Sequence, residues 1–272
     1  CKEQLNRWRF ITKHREFTGS LYPSDGRAGP GSPLFQTITQ SHEARPQAPH
    51  CLGILRRQRL GLSLDDYRLE IGKLFAPFTE VAARNPHSAA PTARSAEELA
   101  TLTERNRLVA EPYGRLVVAR DQVNQGGAIL LASAGEARRL GVPESRWVHI
   151  HGVADCAEPS MLTRESMEKS PAAVSAIATA LDIAGTAWDK LAAIDLYSCF
   201  AIPVFNLLDA FGLERDDPRG WTLTGGLPFF GGAGNNYSAH GIAEAVQRCR
   251  AAPGSYALVG ANATPDAVDI CT

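Results

Sequence analysis

From residue 170 onward, apolar segments of strand length alternate with segments of helix length, and turn residues separate them. Ser170-Pro171 opens a helix, because proline is tolerated at the first helical position. Its apolar positions run through Val174, Ile177, Ala178, Leu181 and Ile183, and Gly185 ends it. Residues 193–197 read as a strand, and 200–211 as a helix ended by Gly212. Residues 222–224 form a short strand into a glycine-rich loop, 237–249 a helix, and 255–260 a strand. Such alternation buries its apolar faces by layering helices on a sheet, so the fold class is α/β.

The stretch before it has the same character. Ser63, followed by Asp65 and Asp66, marks a helix start, since acids are favoured at the positive end of the helix dipole. Leu69, Leu74, Phe75 and Phe78 supply an apolar stripe that Gly72 and Pro77 are expected to interrupt. Ser95-Ala-Glu-Glu98 is a capping-box pattern opening a second helix. Residues 115–119 read as a strand. Residues 126–132 read as a second, apolar on both faces and suited to the interior of a sheet. A short helix over 136–140 closes at Gly141, and 146–151 reads as a third strand.

Composition excludes several classes. The 272 residues are 44% apolar and 21% charged, which is globular and neither collagenous nor wholly disordered. A net charge of −1 gives no bulk attraction to nucleic acid or membrane, and the tryptophans follow no nucleic-acid module. No apolar run approaches the roughly 18 residues of a membrane span. Cysteines at 1, 51, 156, 199, 249 and 271 form no C-x-x-C pair, which points to a reducing, cytoplasmic setting. The chain starts at Cys1 with no basic-then-apolar leader, as expected of a fragment or a processed product. Residues 1–60 hold ten Lys and Arg against four Asp and Glu, with clustered Pro, Gly and Ser, and read as loop or disorder. The expected organisation is a basic, atypical segment over 1–59 and ordered chain over 60–152 and 153–272.

Four places carry possible chemistry. In the loop between residues 224 and 236, glycines let backbone approach a ligand, and the following helix offers free N–H groups to an anion or oxyanion. A structural turn fits equally, and no Gly-Lys-Ser/Thr follows to make it a phosphate loop. Cys199 stands at the C-terminal end of a strand where a helix begins, a position that exposes reactive groups and favours a thiolate. A small buried hydrophobe is the competing reading. His149 and His151 share one face of a strand near Asp155 and Cys156, either a metal constellation or two ordinary strand histidines. His240 lies one helical turn from Asn236, within reach of the loop or simply part of the packing.

The motifs, taken in order, resemble the thiolase superfamily. They are 74–82 with Asn85-Pro86, Arg94-Ser-Ala-Glu-Glu98, Ala110-Glu-Pro-Tyr113, Asn124-Gln-Gly-Gly-Ala128, and Asp195-Leu-Tyr-Ser-Cys-Phe200 with the glycine-rich loop. The likeness is to acetyl-CoA acetyltransferase-like proteins of the sterol-carrier-protein thiolase branch, enzymes of lipid metabolism. It implies a thiolase-like layered fold with helices packed on mixed sheets. The chain would hold the end of the first half with part of the loop region (60–152) and most of the second half (153–272).

The resemblance implies an acyltransferase acting on a coenzyme A thioester, by Claisen condensation or thiolysis of a 3-ketoacyl-CoA, with no bound cofactor. The family's His-Asp-Cys-Phe motif falls on residues 197–200. Cys199 inherits an acid/base role, and Tyr197 stands where the oxyanion-stabilising histidine would be. The family's Gly-His-Pro motif falls near Gly231-Gly232-Ala233, so Gly232 replaces the histidine that activates the nucleophile. His240, Asn235 and Asn236 are the candidates to compensate, and Gly231, Gly232, Asn235, Asn236 and Tyr113 are the candidate substrate contacts. The Cys-x-Ser segment carrying the nucleophile has no counterpart, so negligible turnover by this chain alone is expected. The alternative is a degenerate acyl-CoA-binding or scaffold subunit. Expected partners are the acyl-CoA substrate and a thiolase-like or small accessory subunit, with neither nucleic acid nor a membrane span.

Overall fold

The computed structural model describes residues 47–158, 169–232, 236–261 and 268–271. It opens with helix α1 (Gln47–Arg59), so order begins before Leu60, inside the segment read as loop. The remainder of that basic segment lies outside the described residues. Arg56 explains the helix. Its guanidinium lies 3.9 Å from the Phe205 ring centroid and forms two bonds to Asp209, at 2.8 and 2.9 Å. A basic residue thereby docks α1 on the core without an apolar stripe.

Helix α2 (Leu64–Arg84) starts at Ser63, whose hydroxyl accepts the Asp66 N–H at 3.1 Å. It runs through Gly72 and Pro77 rather than breaking there. The Ala96 carbonyl occupies the space that a side chain at Gly72 would need, so this glycine is the seat of α3 (Ala96–Ala100). Residues 115–119 are not a strand. Leu108–Ala110 (β1) and Tyr113–Gly114 (β2) pair instead, and a 3-10 turn over Arg115–Val117 follows.

Two further expected strands are absent. Residues 126–132 and 146–151 join no ladder among the described residues. Between them lies α4 (Ala134–Arg139), capped by the Ser133 hydroxyl. The strand that does form is β3 (Ala154–Ala157), followed by α5 (Pro171–Ile183). Then come β4 (Leu191–Asp195), α6 (Ala201–Phe211), α7 (Tyr237–Ala251), β5 (Tyr256–Ala261) and β6 (Val268–Cys271). Gly212 closes α6 at φ 62°, a left-handed conformation natural to glycine. Residues 222–224 are not a strand; the Leu223 and Thr224 amides bond the Asp195 side chain instead.

The sheet order is β3-β6-β5-β4, with β4 parallel to β5 and the other neighbours antiparallel. Alternate residues of a strand face opposite sides, and β4 and β5 divide accordingly. Ala193 and Val259 are buried with Ala245, and the partly buried Ala257 and Ile242 pack against them, Ala245 and Ile242 both being on α7. Ile194 and Leu258 join the larger core with Phe75, Ile177 and Phe205 from α2, α5 and α6. Helices therefore cover both faces of a mixed sheet, the layered α/β fold expected from the sequence.

Candidate functional site

The site is built where β4 ends. Asp195 is fully buried, and its carboxylate collects the loop that follows Trp221. Oδ2 accepts the Leu223 N–H at 2.7 Å, the Thr224 N–H at 3.2 Å and the Thr222 hydroxyl at 3.3 Å. Oδ1 accepts the Tyr237 hydroxyl at 3.0 Å. The two threonine hydroxyls accept in turn from Gly225 N–H at 3.0 Å and Gly226 N–H at 3.1 Å. Burial pushes the Asp195 carboxyl up to about 6, against the opposing pull of these four donors. Burial, with the Asp195 charge second, raises the Tyr237 phenol well above its usual range, so it remains a donor.

The glycines then carry the loop past α2. Gly225, at φ +112°, lies so close to Ala82 that an added Cβ would stand 2.6 Å from the Ala82 Cα. Gly226 presses on Phe78, and the Ser198 hydroxyl accepts the Leu227 N–H at 3.2 Å. The loop is tied to Arg120 by two backbone bonds, Arg120 N–H to the Leu227 carbonyl and Gly232 N–H to the Arg120 carbonyl, and the neighbouring Ala119 N–H donates to the Cys199 carbonyl. Residues 119–120 therefore run beside the sheet end, but they bond loops and not strands.

Tyr197, Cys199 and the loop are brought together. Both side chains are partly exposed and pack on a small cluster of Leu227, Phe230 and Tyr237. The Tyr197 ring meets the Tyr237 ring edge-on at 5.7 Å. Cys199 is in no disulfide. His240 joins from α7, its ring 5.1 Å from that of Phe230. Its buried Nε2 has no hydrogen-bond partner. Burial lowers its pKa below 6.5, helped by His87 and opposed by Glu244, so the ring is neutral at pH 7.

The other candidates divide. Gly232 is buried, and a Cβ there would stand 3.2 Å from Leu227 and 3.4 Å from Tyr237, so these side chains close the space a histidine would take. Gly231, at φ +102°, packs against Val123. The Asn236 side-chain N–H donates to the Gly127 carbonyl at 3.5 Å and holds another loop. Asn235 lies outside the described residues. Tyr113 is fully buried, its ring 5.0 Å from Phe200 and its hydroxyl against Gly53, which makes it a core residue. His149 and His151 stack edge-on at 6.4 Å, and His151 stacks again on Tyr256. Among the described residues no group of three potential metal ligands occurs, and no helix is long and apolar enough to cross a membrane.

Sequence reasoning missed Asp195 as a member of the site. Its only signal was an acid at the end of an otherwise apolar strand. Arg115 and Arg120 line a polar cleft of about 260 Å³ with Ala89, Asp121, Gln122 and Val123, beside Gly231.

No family model and no curated protein matches the chain. Solved structures do. A monomeric SCP2-thiolase like protein type 1 (STLP1) from Mycobacterium smegmatis is 56% identical with a TM-score of 0.79, over 82% of this chain and 50% of its own. A structure described as Ltp2-ChsH2(DUF35) aldolase shares the fold, with a TM-score of 0.63 at 18% identity over 83% of this chain and 62% of its own. The chain thus spans about half the length of the mycobacterial protein. Over the part it spans, with Cys199 and Tyr197 set against the glycine-rich loop, this is an SCP2-thiolase-like chain of the thiolase superfamily.

Proposed function

We propose that this chain forms the acid/base and loop side of a thiolase-family acyl-CoA site. The reaction is Claisen condensation, or thiolysis of a 3-ketoacyl-CoA, with the coenzyme A thioester as substrate and no bound cofactor. The observation that carries this reading is the packing of Cys199 and Tyr197 on Leu227, Phe230 and Tyr237, beside the glycine-rich loop, in a chain 56% identical to an SCP2-thiolase like protein.

The roles follow from position. The Cys199 thiolate removes a proton from the α carbon of the acyl group and returns one at the end of the reaction. The Tyr197 phenol donates to the enolate oxygen, a hydrogen bond that strengthens as charge develops. Neutral His240, with Nε2 unpartnered, takes a proton at the loop. Arg115 and Arg120 offer positive charge to the phosphates of coenzyme A. The nucleophile and its activating histidine have no counterpart in these residues, so turnover by this chain alone is negligible. A partner completes the site, a thiolase-like or small accessory subunit. That Cys156, Cys199 and Cys249 form no disulfide fits a reducing, cytoplasmic setting.

The filling of the Gly232 position by Leu227 and Tyr237 favours a second reading, a degenerate subunit that binds acyl-CoA without reacting. Calorimetric titration with acetyl-CoA, repeated with Cys199→Ala and Tyr197→Phe, tests both. Saturable binding supports the site, and carbon–carbon turnover of acetoacetyl-CoA then separates enzyme from binder. A flat titration of folded chain removes both readings and leaves the likeness as one of fold.

A further inference from the structure

Tyr237 is the first residue of α7 and is fully buried. Its ring meets two others edge-on: Tyr197 at 5.7 Å and 84°, and Phe230 at 6.3 Å and 71°. Phe230 carries the contact on to His240 at 5.1 Å. A Cβ at Gly232 would stand 3.4 Å from the Tyr237 Cβ, so the glycine-rich loop closes on the same side chain. Tyr197 and the loop therefore touch Tyr237 directly, and His240 is one ring away. Edge-on aromatic pairs carry orientation as well as energy, because the ring quadrupoles favour that geometry.

A closed ring of hydrogen bonds fixes Tyr237. Its hydroxyl lies 3.0 Å from Asp195 Oδ1 and 2.7 Å from Thr224 Oγ1. Thr224 Oγ1 lies 3.4 Å from Thr222 Oγ1, which lies 3.3 Å from Asp195 Oδ2. All four side chains are buried. α7 sits directly on the carboxylate, since a Cβ at Gly241, one turn after Tyr237, would stand 3.3 Å from Oδ1. The ring can run in two directions. With Asp195 ionised, Tyr237 and Thr222 both donate to it. With Asp195 protonated, Oδ2 still holds the Leu223 and Thr224 N–H groups, at 2.7 and 3.2 Å, so the proton sits on Oδ1. Tyr237 then accepts from Oδ1 and donates to Thr224, Thr224 donates to Thr222, and Thr222 to Oδ2. No group of the ring loses a partner in either direction, and hydrogen bonds aligned in sequence polarise one another. Burial holds Asp195 at about 6, so both directions are reached at ordinary pH.

Of the titratable groups on the surrounding elements, Tyr237, His240 and Glu244 come from α7, and Tyr197 and Cys199 from the segment after β4. Glu244 is held by the Asn85 side chain at 3.2 Å and His240 by the Phe230 ring; Tyr237 is the one that bonds the carboxylate. α2 and β5 contribute Phe78, Ala82 and Val259, which carry no charge. We propose that Tyr237 is a positioning residue of this site: its hydroxyl, locked by Asp195, orients the Tyr197 phenol, and the direction of the hydrogen-bond ring reaches Tyr197 through the edge-on contact. The link between the two tyrosines rests on this geometry, and only its consequence for acyl-CoA rests on the proposed function.

The full chain is labelled with 3-fluorotyrosine, and the Tyr197 signal, assigned by its loss in Tyr197→Phe, is followed by fluorine NMR between pH 5 and 8. The expected result is a wild-type step near pH 6 that Asp195→Asn and Tyr237→Phe both abolish. A purely structural role for Tyr237 lowers stability and leaves the step in place. Tyr237→Phe keeps the ring and nearly all of the volume, so it settles the matter where Asp195→Asn does not fold. His240→Asn is the control, because that ring titrates close by, and the step survives it. A flat wild-type signal overturns the proposal, as does a step that persists in Tyr237→Phe or disappears in His240→Asn. Calorimetric titration with acetyl-CoA reads the consequence. Tyr237→Phe is expected to bind about tenfold more weakly than wild type, in line with the loss of a hydrogen bond to a charged group. Equal affinity overturns the positioning role. Wild-type chain that does not bind acetyl-CoA removes the acyl-CoA reading alone, and the fluorine signal still decides the link between the tyrosines.

Discussion

The Tyr237 hydroxyl donates to Asp195 Oδ1 at 3.0 Å, linking the end of β4 to the first residue of α7 across 42 positions of sequence. The bond matters because Asp195 also holds Leu223, Thr224 and Thr222, so one buried carboxylate organises strand, loop and helix. Its proton is bound more readily in the folded chain than in the unfolded one. The contribution of this group to stability is therefore highest at acid pH and falls as pH rises from about 4 to about 6. The rise from 3.8 to about 6 corresponds to about 3 kcal/mol. Urea unfolding at pH 4, 5, 6 and 7 is expected to show this loss in the wild type. Asp195→Asn removes it, so the difference between the two proteins changes across that window and is constant above it. A difference independent of pH would refute the assignment.

Gly225→Ala is expected to cost about 3 kcal/mol or more, because the added methyl meets the α2 backbone at Ala82 and the φ of +112° disfavours any side chain. Gly61→Ala makes the control. It shares the positive φ, at +65°, but has open space around it, so it loses about 1 kcal/mol. Denaturant midpoints of the two variants check the ranking.

Gly232→His is expected to lower stability by about 1–3 kcal/mol through overpacking against Leu227 and Tyr237. It is not expected to create thiolytic turnover. Unfolding midpoints and an acetoacetyl-CoA assay on the same preparation measure the two claims separately.

Asp209→Asn is expected to cost about 2 kcal/mol, because it leaves the largely buried Arg56 guanidinium without its partner. Burial alone would raise the Asp209 carboxyl, but the Arg56 and Arg59 guanidiniums hold it below its usual 3.8. This contribution is therefore present above pH 3.8 and lost as pH falls through the depressed value. Arg56→Met combined with Asp209→Leu should cost less than the sum of the single changes. Purely additive losses would show that the pair is not coupled.

The His240 ring is expected to titrate below 6.5, since burial and His87 disfavour its charged form. Two-dimensional NMR of the imidazole carbons across pH 5–8 reads this directly, with His240→Asn to assign the signal. A value above 6.5 would remove the neutral base from the proposed site.

Helices were legible wherever a cap and a stop were both local. Ser63 and Ser95 start α2 and α3, and Gly212, Gly185 and Gly141 follow α6, α5 and α4 as read. Strands were legible only where their partners are present. The strands read over 193–197 and 255–260 form as β4 and β5, shifted to Leu191–Asp195 and Tyr256–Ala261, whereas 126–132 has equal apolar character and no ladder. Apolar runs report a demand for burial, while pairing depends on a second segment that the run does not encode. The short strands β1, β2 and β6 lack such runs and escaped notice. Cys199 and Tyr197 were singled out through a local motif, and the structure sets them by the loop. Asp195 was not found, because its partners lie 27 to 42 residues away and meet it only after the chain has crossed over.

The closed space at position 232 works as a ratchet. While a histidine occupies such a position, its neighbours must stay clear of it, and losing the ring leaves a void that larger or shifted neighbours can fill. At position 232 an added Cβ would stand 3.2 Å from Leu227 and 3.4 Å from Tyr237, so a histidine can enter only after these neighbours give way. Their withdrawal alone would open a cavity in the core. The same packing that holds this loop therefore keeps position 232 small.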